Sequence, residues 1–322
     1  MTVQSAIREG LASLVRLLCW LATAAVLAGQ LGRWSPAFDL LNALLLPILL
    51  LLVPLLALAA YWRERFAAIV AIVGLLVGTA QLVGLSLPAD DDAADSAARL
   101  RIVTLSTWRD NPDPEAIRKV IAAQAPDIVM FQESDGTAAS VVADLLPDFA
   151  RVKSCKAKHC SLAILSRWPA RRVAVPARMR GSLPDVVVAE VDAPFGTFRV
   201  INLHLPRPGD ARTPLFFKRV TALARLEAAG PVLVGGDFNL GSGTFRLRQF
   251  AQASGLWRLD GFVPTYPAYM PLPAFVGIDH VLASRDWSRA KCHRTQPGGS
   301  DHYGLACDVS LTPDQSDGAL GK

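Results

Sequence analysis

The chain has 322 residues, of which 52% are hydrophobic, 19% charged and 7% aromatic, and its mean hydropathy is +0.31. This balance excludes an intrinsically disordered chain, because disorder requires low hydrophobicity and a high net charge. A wholly soluble protein is also disfavoured, since soluble domains carry about 25% charged residues. Charges are rare in residues 1–87, which contain five Lys or Arg and three Asp or Glu. The sequence therefore predicts an apolar N-terminal part and a globular remainder.

Three stretches of the N-terminal part lack charged residues, at Leu17–Gly32, Leu40–Trp62 and Phe66–Ala89. A helix needs about 20 apolar residues to cross the hydrocarbon core of a bilayer. The second and third stretches are long enough, and an arginine at the interface can lengthen the first. A membrane anchor of three transmembrane helices is therefore predicted over residues 1–89. The G-x-x-x-G pattern at Gly74 and Gly78 is interpreted as a chance match in an Ala/Gly-rich span.

Arginines that flank the spans predict the orientation of the anchor. They are Arg8 and Arg16 before the first span, Arg33 between the first and second, and Arg63 and Arg65 between the second and third. The positive-inside rule then places the N-terminus in the cytoplasm and the residues after 90 outside it. An alternative is that the first span is a cleaved signal peptide, with Val26-Leu27-Ala28 as the cleavage site.

The remainder of the chain alternates strand-like and helix-like segments. Residues 90–99 are predicted to be an acidic, solvated linker, 100–311 the globular domain and 312–322 a flexible tail. The predicted elements, in chain order, are strand Leu100–Leu105, helix Asp113–Ala125, strand Asp127–Phe131, helix Val141–Leu146, strands Ser161–Leu165, Arg172–Val175, Val186–Val191 and Phe198–Leu203, helix Pro214–Ala229, and strands Val232–Gly235, Ile278–Ala283, Ala290–Arg294 and Tyr303–Val309. This order predicts an α/β fold of two packed β-sheets flanked by helices.

Four of the five cysteines lie in the globular domain, and an even number is typical of an oxidising compartment. Cys292 and Cys307 lie in two strand-like segments that a hairpin could pair, and Cys155 and Cys160 close a short loop. Two disulfides are predicted, and four unrelated buried thiols are the alternative. No Cys/His spacing indicates a zinc site.

Polar residues stand at or near the ends of several predicted strands. They are Glu133, His204, Asp237 and Asn239 in the sequence GGDFN, Asp279 in IDHV, and Asp301 and His302 in GSDH. One carboxylate after a strand is ordinary. Five separate segments with Glu, Asp, Asn or His predict that these side chains converge on one pocket at an edge of the sheets.

These residue types suit metal-assisted hydrolysis of a phosphate ester. Mg²⁺ prefers carboxylate and amide oxygens, and it stabilises charge on a phosphate and its leaving oxygen. Asp237 with Asn239 can orient or deprotonate an attacking water. A histidine held by an aspartate, such as His302 with Asp279, can donate to the developing negative charge. No serine or cysteine nucleophile and no Gly-rich phosphate loop is recognisable.

The segments APDIVMFQES, SLAILSR, VINLHL, GGDFN, GIDHVL and GSDH, in that order, resemble the endonuclease/exonuclease/phosphatase (deoxyribonuclease I-like) family. The resemblance covers Leu100 to about Leu311 and extends to bacterial members that carry N-terminal membrane spans, through the T-W-P-like stretch Thr265-Tyr266-Pro267. It implies a four-layer α/β sandwich and metal-dependent cleavage of phosphoester bonds, with Mg²⁺ as the cofactor and Mn²⁺ as an alternative. It also implies a multi-pass protein of the bacterial inner membrane.

The resemblance assigns roles position by position. Glu133 would be the main metal ligand, and Asp301 would lie beside the metal. Asp237 and Asn239 would position the water and the phosphate. The remaining roles fall on Asp279, which would orient His302, and on His204, which would contact the phosphate.

One position departs from the family pattern. The first strand of the family ends in a T-x-N-x-W pattern whose Asn supports the metal ligands, and here Ser106 stands in the place of that Asn. Loss of such a supporting group costs about 10–100-fold in metal affinity or activity. A catalytically weakened phosphate- or lipid-binding module of the same fold is therefore the alternative to an active phosphodiesterase.

The predicted partners are the lipid bilayer and a phosphate-ester substrate, either a phospholipid or other small phosphodiester, or a nucleic acid. No obligate protein partner is predicted. Arg151–Arg180 contains nine Lys or Arg and no Asp or Glu. This stretch is either a solvated face or a surface that attracts an anionic partner, and a neighbouring bilayer favours lipid. His280 is predicted to be structural, because it points to the strand face opposite to that of Asp279.

Overall fold

The structure is a computed structural model that describes residues 3–84 and 99–311, apart from 137, 145–148, 157–158, 177–178, 180–184, 209–212, 270, 272 and 289–290, and apart from the side chains of 142–143 and 154–160. Residues 90–98 of the predicted linker and the whole predicted tail 312–322 lie outside these residues. The chain forms two compact units. The helical unit consists of Met1–Leu87 and Gly241–Leu247, and the sheet unit consists of Pro88–Leu240 and Arg248–Lys322.

Among the described residues before 85, the helical unit contains four α-helices and a short 3-10 helix at Gln30–Arg33. The α-helices are α1 (Val3–Gly29), α2 (Pro36–Ala43), α3 (Leu45–Tyr61) and α4 (Arg65–Val83). Two helical stretches, Val3–Arg33 and Arg65–Val83, are long and apolar enough to cross a membrane, and a third is counted if α2 and α3 form one broken span. The predicted span Leu40–Trp62 is therefore not one continuous helix, since its two parts are bent by 62°. Pro47 explains the break, because a proline ring clashes with the carbonyl four residues earlier, here that of Ala43.

Gly74 and Gly78 lie on the buried face of α4. A Cβ atom built on Gly74 would lie 2.6 Å from Thr23 Oγ1 of α1, and one on Gly78 would lie 2.5 Å from Leu49 Cδ2 of α3. The interpretation of this G-x-x-x-G as a chance match is therefore wrong. The two glycines allow α4 to pack closely against both neighbouring helices.

The sheet unit contains two six-stranded mixed sheets. The first has the strand order β11-β12-β1-β2-β4-β3, formed by β1 (Arg99–Ser106), β2 (Ile128–Gln132), β3 (Ala150–Lys156), β4 (His159–Ser166), β11 (Lys291–Arg294) and β12 (Leu305–Ser310). The second has the order β5-β6-β7-β8-β10-β9, formed by β5 (Ala170–Arg172), β6 (Asp185–Ala193), β7 (Gly196–His204), β8 (Val232–Asp237), β9 (Trp257–Arg258) and β10 (Asp279–Ala283). Only the pairs β1–β2 and β7–β8 are parallel among the described strands.

The main apolar core lies between the two sheets and includes Met130 and Ile164 of the first sheet and Val200 and Leu233 of the second. Four helices belong to this α/β fold, α5 (Pro114–Gln124), α6 (Ala138–Asp144), α7 (Thr213–Glu227) and α8 (Phe245–Ser254). Helices α5 and α6 pack on the first sheet over a separate apolar cluster. The predicted fold of two packed sheets flanked by helices is confirmed. The strand predicted at Arg172–Val175 is wrong in its bounds, because the observed strand is Ala170–Arg172 and shares only Arg172 with the prediction.

Helix α5 shows how the local sequence sets its ends. The Asp113 side chain accepts a hydrogen bond from the Ala116 amide, and Pro114 occupies the first helical turn, where its missing N–H costs nothing. Ala125 adopts the left-handed conformation that commonly ends a helix. The chain passes from the end of α5 directly into β2, and Glu133 follows the last residue of that strand.

Cys292 and Cys307 face each other across the β11–β12 pair and form a disulfide, as predicted. The side chains of Cys155 and Cys160 lie outside the described residues, so the second disulfide stays a prediction. The fifth cysteine, Cys19, is buried in the helical unit as a free thiol.

Candidate active site

The strand register brings three of the predicted site residues side by side. His204 at the end of β7 is paired with Asp237 at the end of β8, and Asp237 is paired with Asp279 at the start of β10. Paired residues of neighbouring strands point to the same face of a sheet, so the three side chains share one face. The convergence of these three side chains at one end of adjacent strands therefore follows from the backbone alone.

Short distances join these side chains to Glu133 and His302. His204 Nε2 lies 3.5 Å from Asp237 Oδ2 and 4.0 Å from Glu133 Oε1. His302 Nε2 lies 3.9 Å from Asp237 Oδ2, and His302 Nδ1 lies 3.0 Å from Asp279 Oδ2. The structure thus brings together five of the residues that the sequence singled out, in one cluster of alternating carboxylates and imidazoles.

Asn239 and Asp301 border this cluster. The Asn239 amide donates to Asp237 Oδ1 over 2.8 Å, and its side-chain amide donates to the Leu205 carbonyl over 2.8 Å. Asp301 precedes His302, and its charge contributes to the protonation of that histidine. All seven polar residues predicted to form the site are therefore near one another.

The charges of this cluster act on each other strongly. Burial alone would lower the pKa of His302, but the charge and hydrogen bond of Asp279, with the charges of Asp237 and Asp301, outweigh it and raise the pKa to about 10. Burial raises the pKa of Asp237. The charges of His302 and His204 lower this pKa and the charge of Asp279 raises it, and the net shift is upward. At neutral pH His302 is therefore protonated and can donate to an anion.

The backbone adopts an uncommon conformation at three places around the site. Trp108, Glu133 and Asn239 all have positive φ angles, of 57°, 54° and 49°. Such angles cost energy for residues other than glycine and persist when neighbouring contacts hold them. At Glu133 the contacts come from the Thr107 hydroxyl, which donates to the Glu133 carbonyl, and from the Arg109 amide, which donates to Glu133 Oε2 over 3.2 Å.

Sequence reasoning missed a buried polar network beneath the site. Gln132 Nε2 donates to Asn202 Oδ1 over 2.6 Å, and Asn202 Nδ2 donates to the carbonyls of Phe131 and Ala163. Both side chains are fully buried between the sheets. Because Gln132 precedes Glu133 and Asn202 lies two residues before His204, the network fixes the ends of β2 and β7. The available signal was an amide side chain inside each apolar strand.

Thr265 is a second residue that was given no role. Its fully buried hydroxyl accepts hydrogen bonds from the amides of Ile278 and Asp279, at 3.3 and 3.4 Å. The contact fixes the start of β10 and hence the Asp279 carboxylate.

Ser106 occupies the position that the sequence predicts. It is buried at the end of β1 and is paired with Gln132, so it lies beside the strand end that carries Glu133. Its carbonyl accepts a hydrogen bond of 2.6 Å from the Ser300 hydroxyl. The end of β1 is thereby joined to the loop that carries Asp301 and His302.

His280 lies on the other face of β10 and is fully buried. Its Nδ1 lies 2.8 Å from Asp260 Oδ2, and its Nε2 lies 2.8 Å from the Leu240 carbonyl oxygen. Both ring nitrogens therefore have protein partners, which agrees with the predicted structural role.

The donor set fits a divalent cation. Ligand atoms of Asp237, Asp279 and His302 lie within 4.8 Å of one another. Asp279 Oδ1 is buried and has no hydrogen-bond partner among the described residues. Hard cations prefer such carboxylate oxygens, whereas a protonated histidine cannot ligate. Among these three residues, the carboxylates of Asp237 and Asp279 are therefore better suited than His302 to contact the ion.

Residues 103–302, more than half of the chain, match the model of the Endonuclease/Exonuclease/phosphatase family. The chain belongs to the endonuclease/exonuclease/phosphatase family. Members of this family are phosphoesterase hydrolases, and the family typically uses a divalent metal. The comparison with curated proteins gave no match.

Solved structures share the fold of this family with the chain. The endonuclease/exonuclease/phosphatase of Beutenbergia cavernae is 21% identical, with a TM-score of 0.52 over 66% of this chain and 72% of its own. A family member from Bacteroides vulgatus is 17% identical, with a TM-score of 0.55 over 67% of this chain and 100% of its own. The 3′ phosphatase NExo from Neisseria, bound to a product DNA hairpin, is 19% identical, with a TM-score of 0.53 over 65% of this chain and 98% of its own.

Proposed function

We propose that this family member is a membrane-anchored, Mg²⁺-dependent phosphoesterase that hydrolyses phosphodiester bonds. The observation that carries the proposal is the pairing of His302 with Asp279, which keeps the imidazole protonated, directly beside the Asp237 carboxylate. Hydrolysis of an anionic phosphate ester needs a cationic donor to a phosphate oxygen and a carboxylate that accepts the proton of the attacking water, and the cluster supplies both.

Each residue of the cluster has a role in the proposed reaction. Glu133, Asp237 and Asp301 would hold the cation, which would neutralise phosphate charge and stabilise the leaving oxygen. Asp237, fixed by the Asn239 amide, accepts the proton of the attacking water. His302 donates a hydrogen bond to a phosphate oxygen, where negative charge develops as the water oxygen bonds to phosphorus and the ester oxygen leaves.

His204 and Asn239 complete the binding of the phosphate. His204 Nε2 stands between Asp237 and Glu133, from which it can reach a phosphate oxygen near the cation. Mg²⁺ suits the carboxylate donors, and Mn²⁺ accepts the same ligands.

The helical unit supports placement in the bacterial inner membrane as a multi-pass anchor, with the site on the extracytoplasmic side. Two or three of its helical stretches have the length and hydropathy of spans. The Cys292–Cys307 disulfide is typical of an oxidising compartment. An alkaline phosphatase fused after residue 311 should be active in intact cells, and an active green fluorescent protein fusion at that position would reject the orientation.

The substrate is proposed to be a phosphodiester of a phospholipid, another small molecule or a nucleic acid. The second candidate is a catalytically weakened phosphate- or lipid-binding module of the same fold. It is favoured by one observation, the hydroxyl of Ser106 in the place where the family pattern has an amide.

The test measures hydrolysis by the full-length chain in detergent, with Mg²⁺ and with EDTA. The substrates are bis-p-nitrophenyl phosphate, phospholipid vesicles and plasmid DNA. Asp237→Ala and His302→Ala should abolish the activity, whereas the matched surface variants Asp308→Ala and His293→Ala should retain it. Equal activity in the wild type and both site variants would reject the assignment. Absence of hydrolysis on every substrate, with retained phosphate or vesicle binding, would favour the weakened module.

A further inference from the structure

A cluster of buried polar side chains lies at one end of the helical unit. Asp39 and Asn42 are almost fully buried, although α2 and α3 are otherwise strongly apolar. Asn42 Nδ2 donates to the Gly29 carbonyl over 2.8 Å and to Asp39 Oδ1 over 3.0 Å. Gln81 Nε2 donates to Asn42 Oδ1, and Gln30 Nε2 donates to Gln81 Oε1. Buried polar groups are costly unless they are paired, and the hydrogen bonds of this cluster offset that cost.

The Asp39 carboxylate binds the first amides of α8. Asp39 Oδ1 accepts a hydrogen bond of 2.8 Å from the Phe245 amide, and Oδ2 accepts one of 3.0 Å from the Arg246 amide. An α-helix leaves its first amides without intrahelical partners, and its N-terminus is partly positive. Asp39 therefore caps a helix whose first residue lies 206 positions further along the chain.

The rest of Gly241–Leu247 contacts the same end of the helical unit. Gln81 Nε2 donates to the Gly243 carbonyl over 3.1 Å. A Cβ atom on Gly241 would lie 2.5 Å from Ala43 Cα, and one on Gly243 would lie 2.5 Å from the Asn42 carbonyl oxygen. The absence of side chains at both positions thus permits the close approach of this segment to the end of α2.

The segment follows directly on the Asp237-Phe238-Asn239 motif. Leu240 is held through its carbonyl by His280, and the chain then enters the segment that Asp39 holds. Asn239 has a positive φ, which persists only when neighbouring contacts hold it; these contacts include its own hydrogen bonds to Asp237 and Leu205 and the covalent link to the fixed residues that follow. We propose that Asp39 is a positioning residue for the active site. Through residues 241–247 it fixes Asn239 and, with it, the Asp237 carboxylate.

This inference rests on the proposed function and gives the helical unit a catalytic consequence beyond anchoring.

The test uses the full-length chain in detergent with three variants. Asp39→Ala removes both acceptors, Asp39→Asn keeps one and caps helices about as well as Asp, and Glu64→Ala is the matched control. Glu64 is a carboxylate of the same unit that is paired with Arg16 and not with the segment. Amide hydrogen exchange is measured at Asn239, Phe245 and Arg246 without metal. The kcat and KM for bis-p-nitrophenyl phosphate are measured with Mg²⁺.

Asp39→Ala should speed exchange at all three amides and lower kcat by about tenfold, the lower range for groups that support a metal site, with little change in KM. Asp39→Asn should restore much of the slow amide exchange and much of kcat, and Glu64→Ala should match the wild type in both measurements. Exchange that is unchanged in Asp39→Ala would overturn the inference, as would faster exchange with wild-type kcat. If the wild type hydrolyses nothing, the proposed function fails on its own, and exchange at the Asn239 amide still decides whether Asp39 positions the motif.

Discussion

Two buried polar clusters of this chain differ in how completely their atoms are paired. In the helical unit, the carboxylate of Asp39 and the amides of Asn42 and Gln81 bind one another or backbone groups. In the sheet unit, Asp279 Oδ1 has no hydrogen-bond partner among the described residues, and Asp237 is buried between two histidines and a second aspartate. Both clusters contain almost fully buried carboxylates, but only in the second does a buried carboxylate oxygen lack a hydrogen-bond partner among the described residues.

The difference separates a structural cluster from a reactive one. A fully paired polar cluster fixes one arrangement of the backbone and has no further affinity for a ligand. A cluster with an unpaired oxygen and opposed charges is stabilised by a cation or an anion that completes it. Substitutions of charged groups in the second cluster should therefore change stability by an amount that depends on pH, whereas loss of a neutral polar group from the first should lower stability equally at every pH.

The largest effect is expected from Asp237→Asn. Hydrolysis should fall by about 10²–10⁴-fold, as for the loss of a general base. The thermal unfolding temperature of the metal-free chain should nevertheless rise at neutral pH. Burial raises the pKa of Asp237 above its ordinary 3.8, so ionisation destabilises the fold as the pH increases above that value. Melting curves in EDTA below pH 3.8 should show no gain. A lower unfolding temperature at neutral pH would contradict the comparison.

His302→Gln should lower kcat by about 10²–10³-fold, as for the loss of a donor to a developing negative charge. Because the pKa of His302 is raised from 6.5 to about 10, its stabilising effect is complete below pH 6.5 and is lost as the pH rises towards 10. The difference in unfolding temperature between the wild type and this variant, measured without metal, should shrink over this range. A difference that is constant with pH, or one shared by His293→Gln, would show that the charge of His302 does not stabilise the fold.

Ser106→Asn tests the single departure from the family pattern. If the missing amide weakens the metal site, the substitution should raise kcat/KM by about tenfold and lower the Mg²⁺ concentration needed for half-maximal activity. Ser106→Ala serves as the control for a simple change of packing. Unchanged activity in Ser106→Asn would show that the hydroxyl is sufficient.

The smallest effect on chemistry is expected from Asn42→Ala in the paired cluster. It removes the partner of Gln81 and of the Gly29 carbonyl, and it should lower the free energy of unfolding by about 1–3 kcal/mol. No charge is removed, so the loss in unfolding temperature should be the same from pH 6.5 to 10, in contrast to that of His302→Gln. A loss that varies with pH over this range would contradict the comparison of the two clusters.

Much of the active site is predictable from the sequence because its residues follow apolar strands. The sequence shows that His204, Asp237 and Asp279 each stand at the end of an apolar strand. In the structure these strand ends are paired with one another. The motif order then identifies the family. The Cys292–Cys307 pairing is predictable for the same reason, since both residues lie in adjacent late strands.

Features that depend on distant contacts escape sequence analysis. The first two amides of α8 bind the distant Asp39, and the local contact of the Thr244 hydroxyl with the Leu247 amide is long at 3.4 Å, so the local sequence gives a weak signal for that helix. Strand β3 is missed because the charges of Arg151 and Lys153 hide a short alternation in which Val152 faces the core. The break in the second predicted span is hard to predict from the sequence. A transmembrane helix can contain a proline such as Pro47 without breaking, provided that neighbouring groups satisfy the freed backbone carbonyl.

The disulfide has a consequence for the catalytic loop. Cys292 and Cys307 lie on the strands that flank the residues containing Asp301 and His302, so the bond closes that loop into a covalent ring. Reduction would return the loop to an open chain with more conformational freedom. Before the disulfide forms, as in newly made protein in a reducing compartment, the loop that carries His302 would be less restricted. A preparation kept in reducing agent would resemble that form.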